Sequence, residues 1–265
     1  MSSTTVKPKV LFILSSHPTM GPGGPSTGWY LPEFAHPYEV LAPHADITIA
    51  SPAGGAAPLD PASVEGSKDD KIAMTFHETK SALWKNTEKL ESFLGRATEF
   101  DALFYVGGHG PMYDLATLPS SHALILEFHS HHLPISAVCH GPAALLNITN
   151  PTTSLPLINS LPVTGFSNAE EEDMDLMKYM PFPLETKLNE ASGGKYEKAA
   201  EKYAEKVVVS KFPEGGLLIT GQNPASAGAV GKAILEALEG EKVKGGDKSG
   251  LKAKLQKGLE KITGH

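Results

Sequence analysis

This 265-residue sequence predicts an α/β fold with a mostly parallel sheet sandwiched by helices. Three observations carry that expectation. The candidate strands are short and apolar throughout rather than alternating, as strands covered on both faces are. Stretches of helical period separate them. Most of the runs end at glycine, proline or serine, where a chain leaves a sheet edge.

The elements follow in order. Residues 10–14 (V-L-F-I-L) form the first strand and stop at Ser15-Ser16. Residues 19–28, with four glycines and two prolines, make a loop at the carboxyl edge of the sheet, where ligands of open α/β sheets bind. Residues 45–51 give a second strand, broken by Pro52-Ala53-Gly54-Gly55. Leu83, Trp84, Leu90 and Leu94 predict a helix over 80–94. A third strand, 101–106, ends at Gly107-Gly108-His109-Gly110, and a helix over 118–131 follows. Residues 133–138 give the fourth strand, which runs into Cys139 and a short apolar helix over 141–148. Residues 150–161 read as a surface connection, and 195–205 as a charged helix. Residues 206–210 and 216–220 are strands able to pair as a hairpin. A last amphipathic helix covers 225–238, with Asn223 or Ser226 as its cap.

Composition narrows the function. Apolar residues are 40% and charged residues 20%, an ordinary globular balance that excludes collagen-like and disordered chains. The net charge of −7 gives the chain no overall electrostatic attraction to nucleic acid. No apolar run approaches the ~20 residues that span a bilayer, and no leader-like segment opens the sequence. The single cysteine needs no oxidising compartment. The expectation is a soluble cytoplasmic protein, with the nucleus open as a second compartment. Residues 1–239 read as one domain. Residues 240–265 read as a basic tail, either a solvated appendage or an amphipathic helix through Leu251, Leu255, Leu259 and Ile262.

The chemistry converges on Cys139. An apolar strand, a nucleophilic residue, a glycine and an apolar helix make the pattern of a nucleophile elbow. A helix N-terminus beside the sulfur would favour an exposed, oxidation-prone thiolate. Alternatively, Cys139 is a small buried hydrophobe. Gly107-Gly108-His109-Gly110 could supply amides that complete an oxyanion hole with the amide of His140, or could simply turn the chain. No phosphate-binding loop or dinucleotide fingerprint occurs. His129, His131 and His132 do not have a standard zinc spacing.

A-V-C-H-G-P at 137–142 and G-G-H-G at 107–110 together resemble the ThiJ/PfpI superfamily. T-G-W-Y-L-P-E-F-A-H-P at 27–37, V-T-G-F-S-N-A-E-E at 163–171 and T-G-Q-N-P-A-S-A at 220–227 narrow the resemblance to the branch of glyoxalase III and related heat-shock chaperones. It covers roughly residues 7–239. It implies a flavodoxin-like fold of the class I glutamine amidotransferase type, and a homodimer. The implied activity is conversion of methylglyoxal, a small 2-oxoaldehyde, to D-lactate without glutathione, metal or other cofactor. Carried over residue by residue, Cys139 matches the nucleophile and Glu33 the glutamate that meets it. His140 matches the following histidine and Glu171 its acidic partner, with Glu170 and Glu172 one register away. Gly108 and His140 match the backbone oxyanion donors. His109 falls on the oxyanion and substrate-binding side, or holds the glycine turn. Glu33 alone would equally read as an exposed acid at a helix start. The alternatives are a stress-linked holding chaperone, which would act through an exposed apolar patch, and a protein deglycase or cysteine hydrolase using the same thiol.

Overall fold

The structure, a computed structural model, describes residues 7–244. Its sheet has seven strands in the order β3-β2-β1-β4-β5-β7-β6. These are β1 (Lys9–Ile13), β2 (Asp46–Ser51), β3 (Glu88–Lys89), β4 (Ala102–Tyr105), β5 (Ile135–Val138), β6 (Val207–Lys211) and β7 (Leu217–Gly221). All neighbours run parallel except β6, an edge strand antiparallel to β7 through the expected hairpin. β4 and β5 are wholly buried, and β1 is buried beyond Lys9, which explains their unbroken apolar runs.

Among the described residues there are eight α-helices: α1 (Leu31–Leu41), α2 (Pro61–Glu65), α3 (Lys71–Thr79), α4 (Ala82–Lys85), α5 (Pro119–Ser130), α6 (Asn168–Asp173), α7 (Leu184–Ala191) and α8 (Ala227–Lys244). The chain winds outward from β1 to β2 in one direction and from β4 to β5 in the other. Right-handed crossovers therefore place α1 and α5 on opposite faces. α8 packs on α1 and lies against β5 and β7. The switch in direction falls between β1 and β4, so the crevice for a ligand opens beyond their carboxyl ends. This is the flavodoxin-like architecture.

Three expected helices change form. Residues 80–94 break into α4, the short β3 and one 3-10 turn (Leu90–Phe93). Thr87 exchanges both backbone hydrogen bonds with Gly55, at 2.8 and 2.9 Å, and its hydroxyl reaches Ser51 at 2.7 Å. That pairing draws the chain into the sheet edge in spite of the helical period. Residues 195–205 form no helix. Their amides go elsewhere: Ala199 N–H donates to Gln222 and Tyr203 N–H to Glu170. Residues 141–148 yield only a five-residue 3-10 helix (Gly141–Leu145), since Leu157 N–H takes the Ile148 carbonyl in a separate turn. α8 passes residue 239 and is described as far as Lys244. The expected basic tail beyond it lies outside the described residues. Among the described residues, no helix is long and apolar enough to cross a membrane.

Candidate active site

Cys139 follows β5 with φ +60°, in the left-handed region that non-glycine residues rarely occupy. Neighbours on both sides hold it there. Its N–H donates to Gly221 O at 2.9 Å, and its carbonyl accepts from Phe166 N–H at 2.8 Å. The sequence-predicted elbow is thus a strained turn fixed by β7 and by the loop before α6.

Glu33 lies in the first turn of α1. Phe34 anchors that turn to β1 by packing on Phe12, with ring centres 5.6 Å apart, and Tyr30 N–H donates to Gly107 O at 3.1 Å. The carboxyl is fully buried, so it is not an exposed helix-start acid. The Cys139 thiol and the Gly108 amide lie against it, but among the described residues neither oxygen has a partner in full hydrogen-bond geometry. Burial pushes its pKa up to about 8, with Asp60 adding to the rise. A buried carboxylate short of donors is costly, so the neutral acid prevails at neutral pH. Gly107 makes the approach possible: a Cβ there would stand 2.2 Å from Glu33 Oε2 and 2.8 Å from Cys139 Cβ.

That buried acid predicts a pH effect on stability. Its ordinary pKa is 4.5 and its folded value about 8, so between these pH values the folded chain holds the extra proton. Stability therefore falls as pH rises through that window. Glu33→Gln mimics the neutral acid and escapes the loss. Measured in a Cys139→Ser background, its advantage over Glu33 should be small below pH 4.5. It should grow to as much as about 5 kcal/mol above pH 8. Parallel stability–pH curves for the two proteins would refute the raised pKa.

His140 links the nucleophile to an acid. Its Nδ1 stands 3.2 Å from Cys139 Sγ, and its Nε2 stands 2.6 Å from Glu171 Oε2. Its ring packs against both His109 (4.2 Å between centres) and Phe166 (4.6 Å). Burial and the neighbouring His109 lower the His140 pKa despite Glu171, so the imidazole is neutral near pH 7. Nε2 then carries the proton toward Glu171, and Nδ1 is a base toward sulfur. Burial alone would raise the pKa of Glu171. The charge of His140 when protonated, and hydrogen bonds from both histidines, outweigh burial and hold the carboxyl well below its ordinary value.

α6 sorts the three neighbouring acids. Ser167 and Glu170 form a capping box at its start. Glu170 also accepts from Gln222, Asn223 and the Tyr203 N–H. That leaves Glu171, one position on, to face the histidines. His109 Nε2 meets its other oxygen at 2.9 Å, so one carboxylate serves two imidazoles. His109 is thus tied to the acid through Nε2, while its Nδ1 is buried without a hydrogen-bond partner among the described residues. The three donor groups His109, His140 and Glu171 could also hold a metal ion, since one ligand atom from each lies within 4.8 Å of the others. His129 stands apart, against Phe212 and Glu214.

The thiol differs from expectation. Cys139 is only 3% exposed, and burial, with Glu33 beside it, pushes its pKa well up. The 3-10 helix after it is too short to carry a useful dipole, so the expected exposed thiolate gives way to a buried, protonated thiol. The Gly108 amide is the group that lowers its pKa. Gly108 holds φ +96°, and a Cβ there would lie 2.3 Å from Gly28 O, so only glycine brings this amide to the sulfur.

A cavity of about 310 Å³ opens onto Cys139, His140, His109 and Gly108. Tyr30, Phe166, Met174, Tyr203 and Pro224 complete its wall. The sequence did not single out these five. Tyr30, Phe166 and Pro224 lie within the 27–37, 163–171 and 220–227 motifs, but apolar and aromatic types carry no chemical signal of their own. The 19–28 loop, expected at this edge of the sheet, supplies none of these lining residues.

No family model matches the sequence. Among characterised proteins, the glutathione-independent glyoxalase hsp3102 of Schizosaccharomyces pombe is 28% identical over 246 residues, 90% of this chain and 100% of the relative. The probable glutathione-independent glyoxalase hsp3104 of the same yeast is 30% identical over 177 residues, 65% of this chain and 76% of the relative. Among solved structures, the rapid encystment protein of Francisella tularensis superposes with a TM-score of 0.78 at 35% identity, covering 88% of this chain and 99% of that one. Glyoxalase III of Candida albicans superposes with a TM-score of 0.74 at 26% identity, covering 86% and 96%.

Proposed function

This chain belongs to the ThiJ/PfpI superfamily, in its glutathione-independent glyoxalase branch, and we propose that it converts methylglyoxal to D-lactate. The observation that carries the residue assignment is the relay Cys139–His140–Glu171, whose first two members line the cavity, with the neutral carboxyl of Glu33 beside the sulfur. A homodimer in the cytoplasm is part of the same proposal.

His140 Nδ1 takes the thiol proton as Sγ attacks the aldehyde carbon. The new imidazolium is held by Glu171. The carbonyl electrons move to oxygen, beside the Gly108 amide, and that oxygen receives the proton back from His140. The product is a hemithioacetal. His140, again neutral, then removes the hydrogen on the former aldehyde carbon, and Glu33 protonates the ketone oxygen to give an enediol. As the enediol collapses, the hydroxyl on the first carbon returns a proton to Glu33, and His140 delivers the proton it had taken to the second carbon. A thioester of lactate results, and water cleaves it to restore the thiol. One carbon is oxidised while its neighbour is reduced, so the balance needs no outside electron carrier. Acid–base help of this kind contributes ~10²–10⁴ in rate, and an amide donor at the oxyanion ~10²–10³.

The test is stereospecific lactate detection. Purified protein with methylglyoxal, a chelator and no glutathione should form D-lactate. No lactate from folded protein with a reduced thiol would remove this reading.

A further inference from the structure

Glu171 is shared by two histidines, and the relay needs only one of them. His109 Nε2 and His140 Nε2 approach the two oxygens of one buried carboxylate at 2.9 and 2.6 Å. We propose that His109, His140 and Glu171 form a zinc site whose occupation switches the enzyme off.

Two imidazoles and a carboxylate are a donor set that zinc takes readily, with a fourth position left for water. Borderline nitrogen-rich donors favour zinc or copper over magnesium and calcium. One ligand atom from each residue lies within 4.8 Å of the other two, so shifts of about an ångström would bring them to metal-bond lengths of ~2.0–2.2 Å. Both histidines line the cavity, which gives the ion a path and the fourth ligand a place. Each ring must ligate through Nε2 with its proton on Nδ1. For His109 that nitrogen has no partner among the described residues.

The second ring explains the inhibition. His140 Nδ1 faces Cys139 Sγ at 3.2 Å, on the opposite edge from Nε2. A proton held there can no longer be exchanged for the thiol proton, and Glu171 is withdrawn from its role. The metal and the nucleophile occupy opposite edges of one imidazole, so Cys139 is not a ligand. The binding stands on geometry alone. The loss of turnover rests on the relay proposed above.

The experiment uses chelator-stripped full-length protein and its Cys139→Ser variant. Each is titrated with Zn²⁺ by calorimetry and with Co²⁺ by visible absorption. One equivalent should bind to both, with tetrahedral cobalt bands and no sulfur charge-transfer band. His109→Gln and Glu171→Gln, checked for folding by circular dichroism, should each bind about 100-fold more weakly or worse. D-lactate formation by the wild type should fall as the site fills and return with chelator. Binding lost in Cys139→Ser, a sulfur charge-transfer band, unchanged affinity in both ligand variants, or no binding would each overturn the site. An active enzyme indifferent to one bound equivalent would overturn the switch. A protein that binds zinc in this way but makes no lactate would support the site while removing the glyoxalase reading.

Discussion

Cys139→Ser should lower D-lactate formation by about 10⁴-fold or more while leaving the fold intact. The size follows from the site. Losing the nucleophile removes the covalent path entirely, and what survives is the modest help of positioning and oxyanion contacts. A serine hydroxyl in the same buried place is a far weaker acid than a thiol. His140 Nδ1, held neutral, cannot take its proton to a useful extent. The fold should tolerate the exchange because serine fits the same strained turn. Its hydroxyl would also find His140 Nδ1 and the Gly108 amide as partners. The stability cost should therefore stay near 1 kcal/mol. Lactate assay and thermal melt on the same preparation check both halves. Aggregation suppression adds a third readout. A holding chaperone would act through exposed apolar surface and would keep that property in the variant. Wild-type lactate production by Cys139→Ser would move the chemistry off this thiol.

How far the sequence foretold this site depended on the kind of signal. β1, β4 and β5 were legible because burial on both faces leaves nothing but apolar residues, and their ends were marked by Ser15, Gly107 and Cys139. Tertiary pairing was not legible. Thr87 leaves its helical period to pair with Gly55, and the 195–205 amides bond to Gln222 and Glu170 far along the chain. α1 gave a weak signal, since Pro32 and Pro37 both lie within it. That bears directly on Glu33. A first-turn acid normally faces water, and only the resemblance placed this one at the sulfur. What buries it is Phe34 locking the turn onto β1. The choice between Glu170 and Glu171 was, in contrast, open to sequence logic. Ser167-x-x-Glu170 has the spacing of a capping box, which commits Glu170 to the helix start and leaves the next glutamate to face inward. The thiolate expectation failed on length. An apolar run after Cys139 suggested a helix with a dipole, and five residues of 3-10 turn do not make one.

Glu171→Gln should lower kcat by about 10³–10⁴-fold with little change in KM. Losses of that size follow when the acid of such a relay becomes an amide and the imidazole takes the wrong tautomer. Here the effect has an added cause. The carboxylate accepts from His109 with one oxygen and from His140 with the other. An amide of the same shape offers one acceptor and one donor, so it can match only one histidine in its present tautomer. If the amide nitrogen faces His140, that ring must turn its proton to Nδ1, against Cys139, and the base is gone. If it faces His109, the displaced proton can sit on the Nδ1 of that ring, which has no partner among the described residues. His140 then keeps its base, but the imidazolium formed during attack has lost its counter-charge. Both arrangements cost turnover, the first more severely. The pH dependence of stability gives an independent check. The carboxyl's pKa is well below its ordinary 4.5 in the folded chain, so it contributes stability above pH 4.5 that is lost as pH falls toward the folded value. The wild type should therefore be the more stable protein at pH 7, and the gap should close on acidification. A variant that keeps more than about a tenth of wild-type kcat would show that Glu171 only supports the turn. An acid-independent stability gap would show that two histidines do not hold this carboxylate ionised.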